Sequence, residues 1–189
     1  FFFLSYYDLY NYKSSRFVGL KLLEIGYKIS MAVVSVTKHI PASKDSLWEA
    51  ISSERNLENF HPFCQSNNVK KWAKDESIDE LIYLNNRTYT RKWREWTDGK
   101  GYALTISNGR FTADVDWSIN GDENSSKIMI SIKPKFLPNN PIKKWFAHQL
   151  IIKHRLRNYL DHVLSGLATY LTTGEKIQHN QFGEHPWFS

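Results

Sequence analysis

The sequence predicts an α+β domain in which a curved antiparallel sheet of six or seven strands wraps around one long C-terminal helix. Two short helices are expected after the first strand. Three observations predict this. Between 69 and 136, apolar and polar residues alternate in successive runs separated by turn residues, the period-two pattern of half-buried strands. From 142 to 171, apolar residues recur at three- and four-residue spacings, the pattern of an amphipathic helix. A β-branched run at 33–40 ends at Pro41, which cannot donate to a ladder.

Composition bounds the reading. The chain has 189 residues, is 41% hydrophobic and 23% charged, and carries a formal charge of +6. That length fits one domain, with or without an appendage, and needs no metal or disulfide to fold. The single cysteine, Cys64, excludes an internal disulfide framework and fits a reducing, cytoplasmic setting. Aromatic content is 15%, which suits an interior lined with rings as well as one filled with them. Positive residues are dispersed, with a modest concentration between Lys143 and Arg157. A solvated helix face explains that concentration, and no nucleic-acid partner is expected.

Residues 1–30 read differently from the rest. An aromatic run, FFFLSYYDLYNY, opens the segment, but Asp8, Lys13, Arg16, Lys21, Glu24 and Lys28 interrupt every apolar stretch. None reaches the roughly 20 residues of a membrane span, and the parts of a signal peptide are missing. We expect an extension ahead of a domain spanning 31–174. The rival reading is a membrane-surface or partner-docking helix that uses Leu20, Leu22, Leu23, Ile25 and Tyr27.

The elements follow in order. Ser43 or Asp45 caps a helix with Leu47, Trp48 and Ile51 on its apolar face, and a second helical segment at 54–60 stops before His61-Pro62. Strands are expected at 69–73, 79–84, 87–97, 102–107, 111–119 and 128–136. Asn85-Asn86, Asp98-Gly99 and 120–126 form turns, and Asn108-Gly109 gives a two-residue hairpin signal. The final helix, opened by Pro138 and Pro141, carries Ile142, Trp145, Phe146, Leu150, Leu156, Leu160, Val163, Leu164, Leu167 and Leu171, and ends near Gly174. Thirty residues of helix extend about 45 Å. The tail, 175–189, has no period but three aromatics, so packing against the domain is expected.

Val36-Thr-Lys-His-Ile-Pro-Ala-Ser43, then Leu47-Trp48, then Asn56-Leu-Glu-Asn-Phe-His-Pro-Phe63 together resemble the opening pattern of the SRPBCC superfamily. That superfamily includes START-type lipid-transfer domains, birch-pollen-allergen-like proteins and polyketide cyclase/dehydrase-like proteins. The likeness covers about residues 31–173, and the element order is that of the helix-grip fold. It implies a space between sheet and helix that members use for sterols, lipids, quinones, plant hormones or aromatic polyketides. Such a space would here be lined by Phe111, Val115, Trp117, Ile130, Ile132 and the helix stripe; the other reading is that these side chains meet and fill it.

The run 87–97 places Tyr89, Arg91, Trp93 and Glu95 on one face. A guanidinium in an apolar interior is costly unless paired. Arg91 would bind Glu95 or another internal carboxylate, or meet an anionic or carbonyl group on a ligand; a structural ion pair is the plainer account. His61 lies near the expected mouth, beside Pro62 and Cys64, although a nucleophilic Cys–His pair rarely forms from such close sequence neighbours. His148 and His154 are six apart and fall on different helix faces, and His179 and His185 are scattered, so no metal site is expected. Asp114 and Asp116 read as solvated strand positions. Without phosphate loops, nucleophile elbows or Cys-x-x-Cys motifs, no cofactor is expected.

The first functional reading is binding or carriage of a hydrophobic or aromatic small molecule, oriented by Arg91, with Trp93, or by His61. The alternative is a cyclase or dehydratase acting on a polyketide-like substrate in the same cavity. A third is peripheral docking of the basic helix on a partner or anionic membrane. Oligomeric state is left open.

Overall fold

The computed structural model describes residues 33–135 and 151–189. The expected extension at 1–30 and the start of the expected final helix, up to residue 150, lie outside the described residues. Among the described residues there are seven antiparallel strands: β1 (Val34–Ile40), β2 (Cys64–Lys71), β3 (Ile78–Tyr83), β4 (Thr88–Thr97), β5 (Gly101–Ser107), β6 (Thr112–Gly121) and β7 (Ser126–Pro134). Their order in the sheet is β1-β7-β6-β5-β4-β3-β2. Helices α1 (Lys44–Ser52) and α2 (Leu57–Phe60) follow β1, and α3 (Lys153–Thr173) follows the sheet. This is the helix-grip order that the sequence predicts.

Local chemistry sets the helix ends. Ser43 is the N-cap of α1, its Oγ accepting from the Ser46 N–H at 3.0 Å. Gly174 ends α3 at φ 74°, donating its N–H to the Tyr170 carbonyl at 2.8 Å. Another glycine brings two helices together. At Gly166 a Cβ would lie 2.0 Å from the Phe60 carbonyl oxygen, so only glycine allows α3 to approach the end of α2 this closely. Lys38 Nζ donates to Ser165 Oγ at 2.8 Å, tying the same stretch of α3 to β1.

The sheet departs from expectation at three places. Strand β2 runs through Cys64–Lys71 instead of 69–73. Its polar sequence, CQSNNVKK, hides a period, and among the described residues it pairs on one side, with β3, through two register shifts. The Asn108-Gly109 hairpin is a four-residue loop, 108–111, because the Asn108 Oδ1 accepts from the N–H groups of both Arg110 and Phe111. In β4 a register shift between Trp93 and Glu95 interrupts the alternation. Glu95 therefore faces solvent, while Trp96 is half-buried and stacks on Tyr102 at 5.6 Å.

The core lies between the concave sheet face and α1, α2 and α3. Leu47, Ile51, Phe60, Phe63, Leu164 and Leu167 are fully buried; each such side chain contributes about 1.5–3 kcal/mol by leaving water. The tail folds back onto this body. Ile177 and Asn180 donate their N–H groups to the carbonyls of Asn59 and Pro62, each at 2.9 Å, and His185 is buried against the Arg155 carbonyl.

Candidate functional site

Sheet and helix do not meet across their whole width. A cavity of about 300 Å³ lies between β3–β7 and the inner stripe of α3, at the lower end of the range for small-molecule sites. Val115 and Trp117 on β6 and Ile130 and Ile132 on β7 form one wall, since alternation puts every second residue of each strand on the concave face. Leu156, Leu160 and Val163 form the opposite wall. Phe111, from the 108–111 loop, and Arg87 stand at the more exposed end.

His61, Arg91, Phe111, Val115, Trp117, Ile130 and Ile132 all border this space. Trp93 does not. It is turned into a packed cluster, 5.2 Å from Trp72 and 5.9 Å from Tyr102 between ring centroids, with the Arg91 guanidinium 4.9 Å from its ring.

Arg91 is paired internally, and its partner is Asp79, directly opposite in the β3–β4 register, not Glu95. Nε and Nη2 donate to the two carboxylate oxygens at 2.8 and 2.5 Å. Asn67 completes the group, its Nδ2 donating to Asp79 Oδ2 at 2.7 Å. All three side chains are buried. Burial alone would lower the Arg91 pKa, but the Asp79 charge and hydrogen bonds outweigh it and hold the guanidinium protonated. The pair is a fork-to-fork ion pair with no net charge.

A second polar group was not foreseen. His61 Nε2 and Tyr159 Oη are 2.9 Å apart, and Tyr159 Oη and Tyr83 Oη are also 2.9 Å apart. Tyr83 and Tyr159 both border the cavity. The Phe63 N–H donates to His61 Nδ1 at 3.2 Å, so the neutral ring carries its proton on Nε2 and donates toward Tyr159. Burial, reinforced by the Arg91 charge, lowers the His61 pKa to about 3, and burial raises those of both phenols. Because the unfolded chain takes up the proton at about 6.5, this contribution to stability is complete above that pH. It falls away as the pH drops toward 3, by at most about 1.4 kcal/mol per unit. Nitrogen-detected NMR is expected to show His61 as the neutral Nε2–H tautomer from pH 8 to pH 5; a ring that titrates near 6.5, or carries its proton on Nδ1, contradicts this arrangement.

Neither the thiol nor the paired aspartates is poised for catalysis. Burial pushes the Cys64 thiol up to about 12, so it is no thiolate at neutral pH. Asp114 and Asp116 sit on the outer face in a salt-bridge cluster with Lys135 and Arg94. Among the described residues no group of three or more His, Cys, Asp or Glu could hold a metal ion.

The tail supplies the last wall. Trp187 and Phe188 border the cavity, and Phe188 stacks on Tyr83 with ring centroids 4.3 Å apart. His185 lies under it at 5.1 Å, and Asn85 Nδ2 donates to the Trp187 carbonyl at 2.6 Å.

Residues 31–172 match the family described as polyketide cyclase/dehydrase and lipid transport; the tail residues that close the cavity fall outside the match. No curated protein matches the chain significantly. Among solved structures, a START superfamily protein from Mycobacterium smegmatis is 11% identical, with a TM-score of 0.60, over 75% of this chain and 97% of its own. Ara h 8.0201 is 12% identical, with a TM-score of 0.58, over 75% and 97%. DynU16, from the dynemicin biosynthetic locus, is 15% identical, with a TM-score of 0.61, over 78% of this chain; the match spans only 50% of DynU16. At these identities the likeness is one of fold.

Proposed function

Because the chain belongs to the polyketide cyclase/dehydrase and lipid transport family, we propose that it binds or carries a hydrophobic or aromatic small molecule in the cavity between sheet and helix. The observation that supports this most is the cavity itself: about 300 Å³ walled largely by aliphatic and aromatic side chains. An apolar guest gains roughly 25 cal/mol for each Å² it removes from water there. His61, Arg91, Phe111, Val115, Trp117, Ile130 and Ile132 are the contacts expected around it. A cytoplasmic setting belongs to the same reading. Among the described residues no helix is long and apolar enough to cross a membrane, and Cys64 is a free thiol.

The cyclase or dehydratase alternative needs a group that exchanges protons near the working pH. His61 is held neutral down to about pH 3, Tyr83, Tyr89 and Tyr159 are pushed upward, and Arg91 is held protonated. These favour retention of a guest over turnover. Native mass spectrometry of protein purified from its own host tests the proposal. A stoichiometric apolar molecule, released on denaturation, is the expected result; protein that is consistently empty, and stays empty when offered apolar compounds, contradicts it.

A further inference from the structure

The cavity wall offers a hydrogen-bond donor for which a guest would supply the acceptor, and counting protons shows that one is left over. His61 Nε2, Tyr159 Oη and Tyr83 Oη carry three protons between them, and only two hydrogen bonds join them. Since Nδ1 is occupied by the Phe63 N–H, His61 must donate to Tyr159. The bond between Tyr159 Oη and Tyr83 Oη can run in either direction, so one of these two phenolic O–H groups is the proton without an acceptor, and both side chains border the cavity. An unmade hydrogen bond from a buried hydroxyl is costly, so a guest that supplies an acceptor gains by completing it.

Charge narrows the guest further. Asp79 neutralises Arg91 with two hydrogen bonds, His61 is uncharged, and both phenols keep their protons. Among the described residues Arg87 is the other cation bordering the cavity, and it stands at the exposed edge. An anionic head drawn past that edge, to the wall around Tyr83 and Tyr159, would lose its hydration and meet no uncompensated positive charge among the described residues there.

We propose that the cavity selects a neutral carbonyl compound on an apolar frame, with the free O–H of the Tyr83–Tyr159 pair donating to the carbonyl oxygen. This rests on the cavity-binding reading above and adds to it a polarity filter and the pair of residues that sets it.

The test compares 2-acetonaphthone with 2-isopropenylnaphthalene, which replaces C=O by C=CH₂ at nearly the same shape, and with 2-naphthoate. Calorimetric titration of the wild type is expected to rank the ketone about tenfold tighter than the hydrocarbon, with the carboxylate weakest. In the double variant Tyr83→Phe with Tyr159→Phe the ketone's advantage should disappear while the hydrocarbon still binds. Infrared spectroscopy of the bound ketone supplies a readout that needs no variant: its C=O stretch should fall below the value in hexane. Equal binding of ketone and hydrocarbon to the wild type, an unshifted carbonyl band, a preference that survives loss of both hydroxyls, or naphthoate binding most tightly would each overturn the proposal while leaving the cavity reading standing. Failure of all three compounds to bind would overturn both.

Discussion

Replacing Asp79 with alanine is expected to destabilise the fold by about 3–5 kcal/mol, the usual cost of leaving one member of a buried ion pair uncompensated. Arg91 would then have neither water nor a counter-charge, with Asn67 Oδ1 at 3.4 Å as its remaining hydrogen-bond partner. The damage is specific to breaking the pair. Removing both charges together, in Asp79→Leu with Arg91→Met, should recover most of the loss, because buried pairs are often replaceable by apolar residues of similar volume. Urea unfolding of both proteins checks this. A loss under about 1 kcal/mol for Asp79→Ala, the range of exposed pairs, would show that Arg91 reaches water, and the uncharged wall argued above would fall with it.

Phe188→Ala is expected to have the next largest effect. Truncating a buried phenylalanine typically costs 3–5 kcal/mol. About 3 is expected here, since one side of the ring already borders the cavity. The same change removes the ring stacked on Tyr83 and tilted against Tyr159 at 4.7 Å, opening the cavity where the tail covers it. Lost aromatic contacts of about 0.5–1.5 kcal/mol correspond to a roughly two- to tenfold faster release of an aromatic guest. Stopped-flow dissociation of 2-acetonaphthone, beside urea unfolding, measures both effects. Unchanged release with lowered stability would make the tail a brace of the fold rather than a cover for the cavity.

The fold was legible because most of its rules are local. Alternation along 112–119 and 128–132 puts Val115, Trp117, Ile130 and Ile132 on one face whatever the rest of the chain does. Likewise the spacing of Leu156, Leu160, Val163 and Leu167 names the inner stripe of α3. The polar parts of the site were less legible because they depend on register and on contacts between distant segments. Asp79 shares a face with Leu81 and Tyr83, a carboxylate at an inward position that signals a buried cation opposite. Naming Arg91 as that cation requires the β3–β4 register, and a bulge in β4 turns the nearer acid, Glu95, outward. Tyr159 falls on the helix stripe, three residues after Leu156 and four before Val163, yet its link to His61 and Tyr83 spans 98 and 76 residues of sequence. The tail's aromatics indicated packing, but not against which surface.

The central claim, that an apolar guest occupies the space between sheet and helix, is tested most directly by mapping where one binds. Methyl-labelled protein titrated with 2-acetonaphthone should show saturable, one-to-one shifts at Leu104, Val115, Ile130, Ile132, Leu156 and Val163, whose side chains surround the cavity. Shifts confined to Ala50 and Leu171, which line the separate hollow between α1 and the end of α3, or no saturable shifts at any methyl, would contradict it.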